Sequence, residues 1–172
     1  MPLGRSWRVQ LREYARVAIT RPYPRPFEGA RRYFLQRGSY PCSWPIRTPA
    51  GTVTPTLHSP HDMLTANEIF CRRDYPANAD TRIVVDLGSN IGLSALWFLT
   101  RDPAVRCYLY EPVPRNVERL RANLSGFEDR FDLEEVAVAD RTGSVSFGVE
   151  PSGRYGGIGL ELAVASLFGA AT

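Results

Sequence analysis

The chain has 172 residues, of which 44% are hydrophobic and 23% are charged, and its formal net charge at pH 7 is +3. These values predict a globular chain with a hydrophobic core, and the charge is too small to indicate a nucleic-acid-binding protein. All 21 basic residues are arginine, which excludes a mechanism based on a catalytic lysine.

The cysteine content indicates the compartment. The chain has three cysteines, Cys42, Cys71 and Cys107, and their spacing matches neither a zinc site nor a disulfide framework. A reducing, cytoplasmic setting without a metal site is therefore expected. The N-terminus lacks the continuous apolar segment of a secretory signal, and no stretch approaches the roughly 20 apolar residues of a membrane span. We therefore expect no transmembrane segment.

The N-terminal part of the chain predicts helices and short strands. Residues 6–20 place Trp7, Leu11 and Tyr14 at helical spacing, with arginines on the opposite face. Because this apolar face is small, packing on the chain's own domain is favoured over binding to a membrane or a partner. A second short helix is predicted over residues 27–37, after a proline-rich break.

Short β structure and another helix are predicted next. Residues 40–61 contain strand-forming pairs separated by turn sequences. Asp62 is a candidate N-cap for a helix that runs to about Arg72. Thr65 and Glu68 have the spacing of a capping box and would instead start that helix three residues later.

One stretch predicts a strand, a glycine turn and the start of a helix. Residues 83–85 are consecutive and β-branched, which is typical of a parallel strand buried on both faces. Asp86 lies where this strand ends, and Gly88 and Gly92 bracket the turn. From Ile91 the apolar residues follow helical spacing. A strand, a glycine turn and a helix N-terminus together form a cradle for a small molecule.

The pattern continues after this stretch. A second strand over residues 105–110 ends at Glu111, a helix follows over residues 116–124, and a third strand is predicted over residues 131–138. This β-α-β-α-β order predicts a parallel sheet with right-handed crossovers. The sequence therefore predicts an α/β, Rossmann-like unit over residues 81–172, preceded by an α+β extension over residues 1–80.

The residues of the turn favour one class of ligand over another. A dinucleotide site needs G-x-G-x-x-G, but Ser89 and Asn90 follow Gly88, and Asp86 would repel a pyrophosphate. S-adenosylmethionine carries an ammonium group that Asp86 can meet, and Glu111 is placed to accept hydrogen bonds from its ribose hydroxyls. An NAD(P)-dependent oxidoreductase therefore stays as the weaker alternative.

Three motifs carry a resemblance to a known family: Val85-Asp86-Leu87-Gly88-Ser89-Asn90-Ile91-Gly92, Tyr110-Glu111-Pro112-x-x-x-Asn116 and Ala137-Val138-Ala139-Asp140-x-x-Gly143. With them the chain resembles FkbM-type methyltransferases. The resemblance implies a class I, S-adenosylmethionine-dependent enzyme that methylates a hydroxyl group of a natural product or sugar. The cofactor-binding residues that it implies are Asp86, Gly88, Ser89, Asn90, Gly92, Glu111, Ala137 and Val138.

Each implied residue has an expected place. Asp86 would lie at the methionine end of the cofactor, Glu111 at the ribose, and Ala137 and Val138 near the adenine. Asn116 would organise the loop after Glu111. No catalytic residue is assigned.

Three further side chains are weaker candidates. His58 and His61 are possible general bases, although turn or cap roles are favoured for both. Tyr155 is a candidate for the border of the substrate site.

The family continues with further strand–helix units on the substrate side, where its members carry a Lys-x-Asp-x-Glu-Gly-type strand. This chain has no lysine, so we expect an incomplete sheet that corresponds to the cofactor half. A non-catalytic remnant of such an enzyme is therefore a second interpretation.

Overall fold

A computed structural model describes residues 22–140, 143, 147–149 and 156–158. The described residues fall into two units. The first runs to Thr81 and takes in Thr100–Pro103, and the second holds Arg82–Leu99 and the described residues from Ala104 onwards. The predicted helix over residues 6–20 and the substrate candidate Tyr155 lie outside the described residues. Within them, no helix has the length and apolar character needed to cross a membrane.

The first unit begins with one helix, which is followed by two small antiparallel pairs of strands and by a second helical segment. Its elements are α1 (Pro26–Leu35), β1 (Cys42–Ser43), β2 (Ile46–Thr48), β3 (Gly51–Val53) and β4 (Thr56–Leu57). β2 pairs with β3, and β1 pairs with β4. Pro26 is the first residue of α1. Proline has no backbone N–H, but an N–H at this position would have no hydrogen-bond partner within the helix, so a proline is tolerated there. The predictions of a short helix and short β structure are confirmed here.

The start of the next helix, α2 (Pro60–Ala66), corrects a prediction. Its N-cap is Ser59 and not Asp62: Ser59 has extended backbone, and its side-chain oxygen accepts the Asp62 N–H at 3.2 Å. Pro60 then occupies the first helical position, which sets the start earlier than Asp62 or a Thr65–Glu68 capping box would. The Asp62 carboxylate instead accepts the backbone N–H of His58 at 2.6 Å.

A π-helix over Asn67–Arg72 extends α2, so the helical segment ends where it was predicted to end. Asn67 is buried at its start. Its amide oxygen accepts from the Tyr23 hydroxyl at 3.0 Å, and its amide nitrogen donates to the Met63 carbonyl at 3.0 Å. These bonds satisfy a polar side chain inside an apolar core, as burial requires.

The second unit is a three-stranded parallel sheet with a helix in each crossover. Its elements are β5 (Ile83–Leu87), α3 (Leu93–Leu99), β6 (Arg106–Tyr110), α4 (Pro114–Asn123) and β7 (Phe131–Glu134). The strand order is β5-β6-β7, and both pairs are parallel. A 3₁₀ turn, Glu128–Arg130, precedes β7, and β8 (Phe147–Val149) and β9 (Gly156–Ile158) form a separate antiparallel pair. The β-α-β-α-β prediction is confirmed, and the sheet is compatible with a Rossmann-like fold.

The core of this unit lies on the helix side of the sheet. Both helices turn apolar side chains inward, and these side chains meet those of β6: the fully buried ones are Leu96, Leu99, Leu109, Leu120 and Leu124. One face of the sheet is thereby covered by the helices that connect its strands.

The prediction that β5 is buried on both faces was wrong. Ile83, Val85 and Leu87 share one face of β5 and are 66%, 60% and 60% exposed. Val84 and Asp86, on the other face, are half-buried. Among the described strands β5 is an edge strand and only its helix side is covered, so β-branched composition alone did not predict its burial.

The third predicted strand is shorter than expected. β7 ends at Glu134, whereas the sequence predicted a strand through Val138 that is most apolar at Val136-Ala137-Val138. Val136 and Val138 are 48% and 51% exposed. Their β-branched composition favours a strand, but they have no partner strand among the described residues.

Candidate functional site

The candidate site lies where β5 and β6 end and the chain turns into α3. Asp86 is the last residue but one of β5, and Glu111 directly follows β6. Because β5 and β6 are parallel, with Leu87 opposite Tyr110, their carboxyl ends meet at the same edge of the sheet. The two predicted carboxylates therefore flank one turn.

The turn has a left-handed backbone at three positions. Gly88, Asn90 and Gly92 have φ values of 86°, 48° and 82°. Such values cost little at glycine and are tolerated by asparagine better than by most other residues. The predicted glycine turn is thus a tight loop, and α3 begins at Leu93, two residues after the predicted helical spacing.

Hydrogen bonds hold this loop to β6 and to itself. The N–H groups of Gly88 and Ser89 both donate to the Tyr110 carbonyl, at 2.8 and 3.1 Å, and the Gly92 N–H donates to the Ser89 carbonyl at 2.8 Å. The Ser89 hydroxyl donates to the backbone carbonyl of Asp86 at 2.9 Å. Gly88, Ser89 and Gly92 therefore shape the loop with their N–H groups.

Asp86 points to the helix side of the sheet. Its carboxylate accepts a hydrogen bond from the hydroxyl of Ser94, in the first turn of α3. Burial raises the pKa of Asp86, and the hydroxyls of Ser94 and Ser89 act in the opposite direction. Ser94 was not among the predicted site residues, although it is a polar residue within the otherwise apolar α3.

The raised pKa of Asp86 makes a prediction for stability. A buried carboxyl whose pKa lies above its usual value holds its proton more tightly in the folded state, so the contribution of Asp86 to stability falls as pH rises from about 3.8 through its raised folded-state pKa. The isosteric change Asp86→Asn removes this loss, and we expect its stability relative to wild type to increase towards neutral pH.

Urea unfolding of both proteins across the acidic to neutral range measures this effect. Glu118→Gln, which neutralises an exposed acid on α4, is the control and is expected to follow wild type. A stability difference between Asp86→Asn and wild type that does not change with pH would contradict the prediction.

Glu111 is almost fully buried, with 4% of its surface exposed. One carboxylate oxygen accepts the Asn90 N–H at 2.8 Å. The other accepts the Val113 N–H at 3.0 Å and the Asn116 side-chain amide at 3.3 Å. Glu111 thus links the end of β6 to the glycine loop, and Asn116, which was expected to organise the loop after Glu111, donates to its carboxylate.

The end of α4 also contacts the loop. The side-chain amide of Asn123 donates to the Ile91 carbonyl at 2.9 Å. A Cβ at Gly92 would lie 3.0 Å from Leu120 Cγ and 3.3 Å from Leu124 Cγ, so Gly92 also permits this close packing. Asn123 was missed by the sequence analysis because it has no local motif with the loop.

The structure does not bring all predicted residues to a strand end. The prediction that Ala137 and Val138 end the third strand was wrong, because β7 ends at Glu134; Ala137 is half-buried and Val138 exposed, and their place near the adenine stays a prediction. His58 and His61 belong to the first unit, beside the start of α2. Among the described residues no group of acidic, histidine and cysteine side chains has the arrangement of a metal site.

Comparison with curated proteins finds methyltransferases. The chain is 40% identical over 65 residues to 2-O-methyltransferase NoeI of Sinorhizobium fredii, a match that covers 38% of this chain and 26% of that protein. It is 28% identical over 102 residues to 31-O-demethyl-FK506 methyltransferase FkbM of Streptomyces tacrolimicus, which covers 57% of this chain and 39% of that protein.

A third relative is AMB antimetabolite synthetase AmbE of Pseudomonas aeruginosa, 32% identical over 85 residues, 49% of this chain but 4% of that protein. No family model matches the chain. The matched stretches span well under half of each relative's length. Within those limits, the two relatives named as methyltransferases support a place for this chain in a methyltransferase family.

Proposed function

We propose that the second unit binds S-adenosylmethionine and that the protein belongs to an enzyme class that transfers its methyl group to a hydroxyl oxygen of a natural product or sugar. The observation that carries this proposal is the pair of carboxylates, Asp86 and Glu111, on either side of one glycine loop. The resemblance to FkbM-type enzymes and the methyltransferase relatives support it. We also propose a reducing, cytoplasmic setting, which rests on the odd number and the spacing of Cys42, Cys71 and Cys107 in the sequence.

The acceptor groups of the site fit this cofactor. An ionised carboxylate offers about four acceptor positions, and described donors fill three of those on Glu111. One position remains for a ribose hydroxyl, and a second hydroxyl would share or displace the Asn90 N–H. Asp86 supplies the acceptor for an ammonium group, whose positive charge would favour the ionised carboxylate against the effect of burial.

The chain's own residues would bind the cofactor and orient it. Glu111 fixes the loop and presents a carboxylate to the ribose, and Gly88 leaves open space where a side chain would stand, since an added Cβ meets nothing within 4 Å. When bound, S-adenosylmethionine supplies an electrophilic methyl group. The protein has to hold the acceptor oxygen in line with the methyl–sulfur bond and exclude water.

Isothermal titration of the full chain with S-adenosylhomocysteine, the demethylated product, tests the cofactor. We expect saturable binding, a loss of affinity of about tenfold or more in Asp86→Asn, where the cationic ligand group meets a neutral amide, and no change in Glu118→Gln. NAD⁺ serves as the competing ligand. Tight NAD⁺ binding, or binding of S-adenosylhomocysteine that Asp86→Asn leaves intact, would overturn the proposal.

Turnover is measured separately, as transfer of a labelled methyl group to the alcohols of sugars and other natural products. The two relatives named for methylation at a numbered oxygen make alcohols the first acceptors to test. A second candidate, cofactor binding without turnover, is favoured by the exposed apolar face of β5, which the described residues leave uncovered. Binding without methyl transfer to any acceptor would support this second candidate.

A further inference from the structure

We infer that Asn123 is a positioning residue for the glycine loop, residues 88–92. Asn123 acts on this loop through the Ile91 carbonyl. The inference rests on the proposed function of the loop. Asn123 is the last residue of α4, and its side-chain amide reaches across 32 positions of sequence to donate to Ile91 at 2.9 Å. It does not belong to the strand ends that present the two carboxylates.

The hydrogen bonds of the loop show why this contact matters. The peptide group between Ile91 and Gly92 is held at both ends: its carbonyl accepts from Asn123, and its N–H donates to Ser89 at 2.8 Å. The peptide group between Ser89 and Asn90 is held in the same way, because its carbonyl accepts that Gly92 N–H and its N–H donates to Glu111 at 2.8 Å.

Two side chains from outside the loop therefore set the orientation of two of its peptide groups. Glu111 holds the first from the end of β6, and Asn123 holds the second from the end of α4. Loops with left-handed residues have several accessible backbone conformations, so external hydrogen bonds select one of them. Glu111 and Asn123 together select the observed backbone conformation of the loop.

The packing of α4 against the loop places Asn123 beside the Ile91 carbonyl. α4 and the residue that follows it approach the loop so closely that a Cβ at Gly92 would lie 3.0 Å from Leu120 Cγ and 3.3 Å from Leu124 Cγ. Ile91 is 3% exposed, so water cannot readily replace a lost donor beside it. A change at Asn123 that removes the donor therefore acts on the loop and leaves the apolar contacts of α4 in place.

The test uses three variants of the full chain. Asn123→Asp keeps the size of the side chain but turns a carboxylate towards the Ile91 carbonyl, Asn123→Gln keeps the donor amide, and Glu118→Gln is an exposed control on the same helix. We expect Asn123→Asp to weaken S-adenosylhomocysteine binding roughly tenfold, Asn123→Gln to recover part of this loss, and Glu118→Gln to match wild type.

Amide hydrogen exchange separates positioning from general damage. In Asn123→Asp we expect faster exchange at Asn90 and Gly92, while the amides of β6 and β7 keep their wild-type rates. Equal acceleration throughout the second unit, or unchanged affinity with unchanged loop exchange, would overturn the inference. If the wild-type chain does not bind S-adenosylhomocysteine, the proposed function fails, and the exchange rates alone decide whether Asn123 orders the loop.

Discussion

Replacement of Glu111 by alanine is expected to destabilise the protein by about 3 kcal/mol or more, because buried donors that lose their acceptor each cost about 1–3 kcal/mol. The variant leaves the Asn90 N–H, the Val113 N–H and the Asn116 amide without the carboxylate that all three now share. The Asn116 amide is buried and the two N–H groups are half-buried, so water replaces the lost acceptor only in part. Urea unfolding measures the loss.

Two further variants make this result specific. Glu111→Gln keeps one acceptor oxygen, and we expect it to lose about half as much stability, on the order of 1–2 kcal/mol. Glu134→Ala removes the same type of side chain from the end of the neighbouring strand, where it is exposed, and should change stability by less than about 0.5 kcal/mol. Equal stability of Glu111→Ala and Glu134→Ala would show that the carboxylate does not hold the loop.

Gly92→Ala is expected to cost about 2–4 kcal/mol, from the left-handed backbone and from overpacking together. Its φ is 82°, and the new Cβ would lie 3.0 Å from Leu120 Cγ, tighter than ordinary van der Waals contact. Leu120 is fully buried and has little freedom to move. The free energy of unfolding and the thermal midpoint give the measurement.

Gly88→Ala is the matched control for this variant. Gly88 has nearly the same φ, 86°, but a Cβ there meets nothing within 4 Å. It should therefore lose only the conformational contribution, about 1–2 kcal/mol. If both glycine variants lose the same stability, the contact with α4 contributes nothing and the backbone alone requires Gly92.

The order of elements in the second unit can be predicted from local sequence because each element has a local cause. Consecutive β-branched residues favour β5, the change to helical spacing predicts α3, and glycine supplies the left-handed turn between them. Asp86 and Glu111 follow from the same reasoning, because parallel strands bring their carboxyl ends to one edge. No local pattern shows, however, which face of β5 is covered.

Side-chain hydrogen bonds between distant positions could not be predicted. Glu111 is 21 residues from Asn90, and Asn123 is 32 residues from Ile91, so no spacing rule connects them. The Ser59 cap was missed for a different reason: Asp62 is also a good cap, and the choice depends on Pro60 and on the Asp62 carboxylate turning back to His58. Where two local signals for a helix start are similarly strong, tertiary contacts decide which residue becomes the cap.

The edge position of β5 links ligand binding to the integrity of the sheet. Ile83, Val85 and Leu87 are largely exposed, so within the part of the chain that the structure describes, the strand that carries Asp86 is held by its backbone bonds to β6 and by contacts on one face. Glu111 belongs to the inner strand. A ligand that binds both carboxylates would connect the two strands. By mass action, a higher concentration of this ligand would increase the stability of β5 in the sheet.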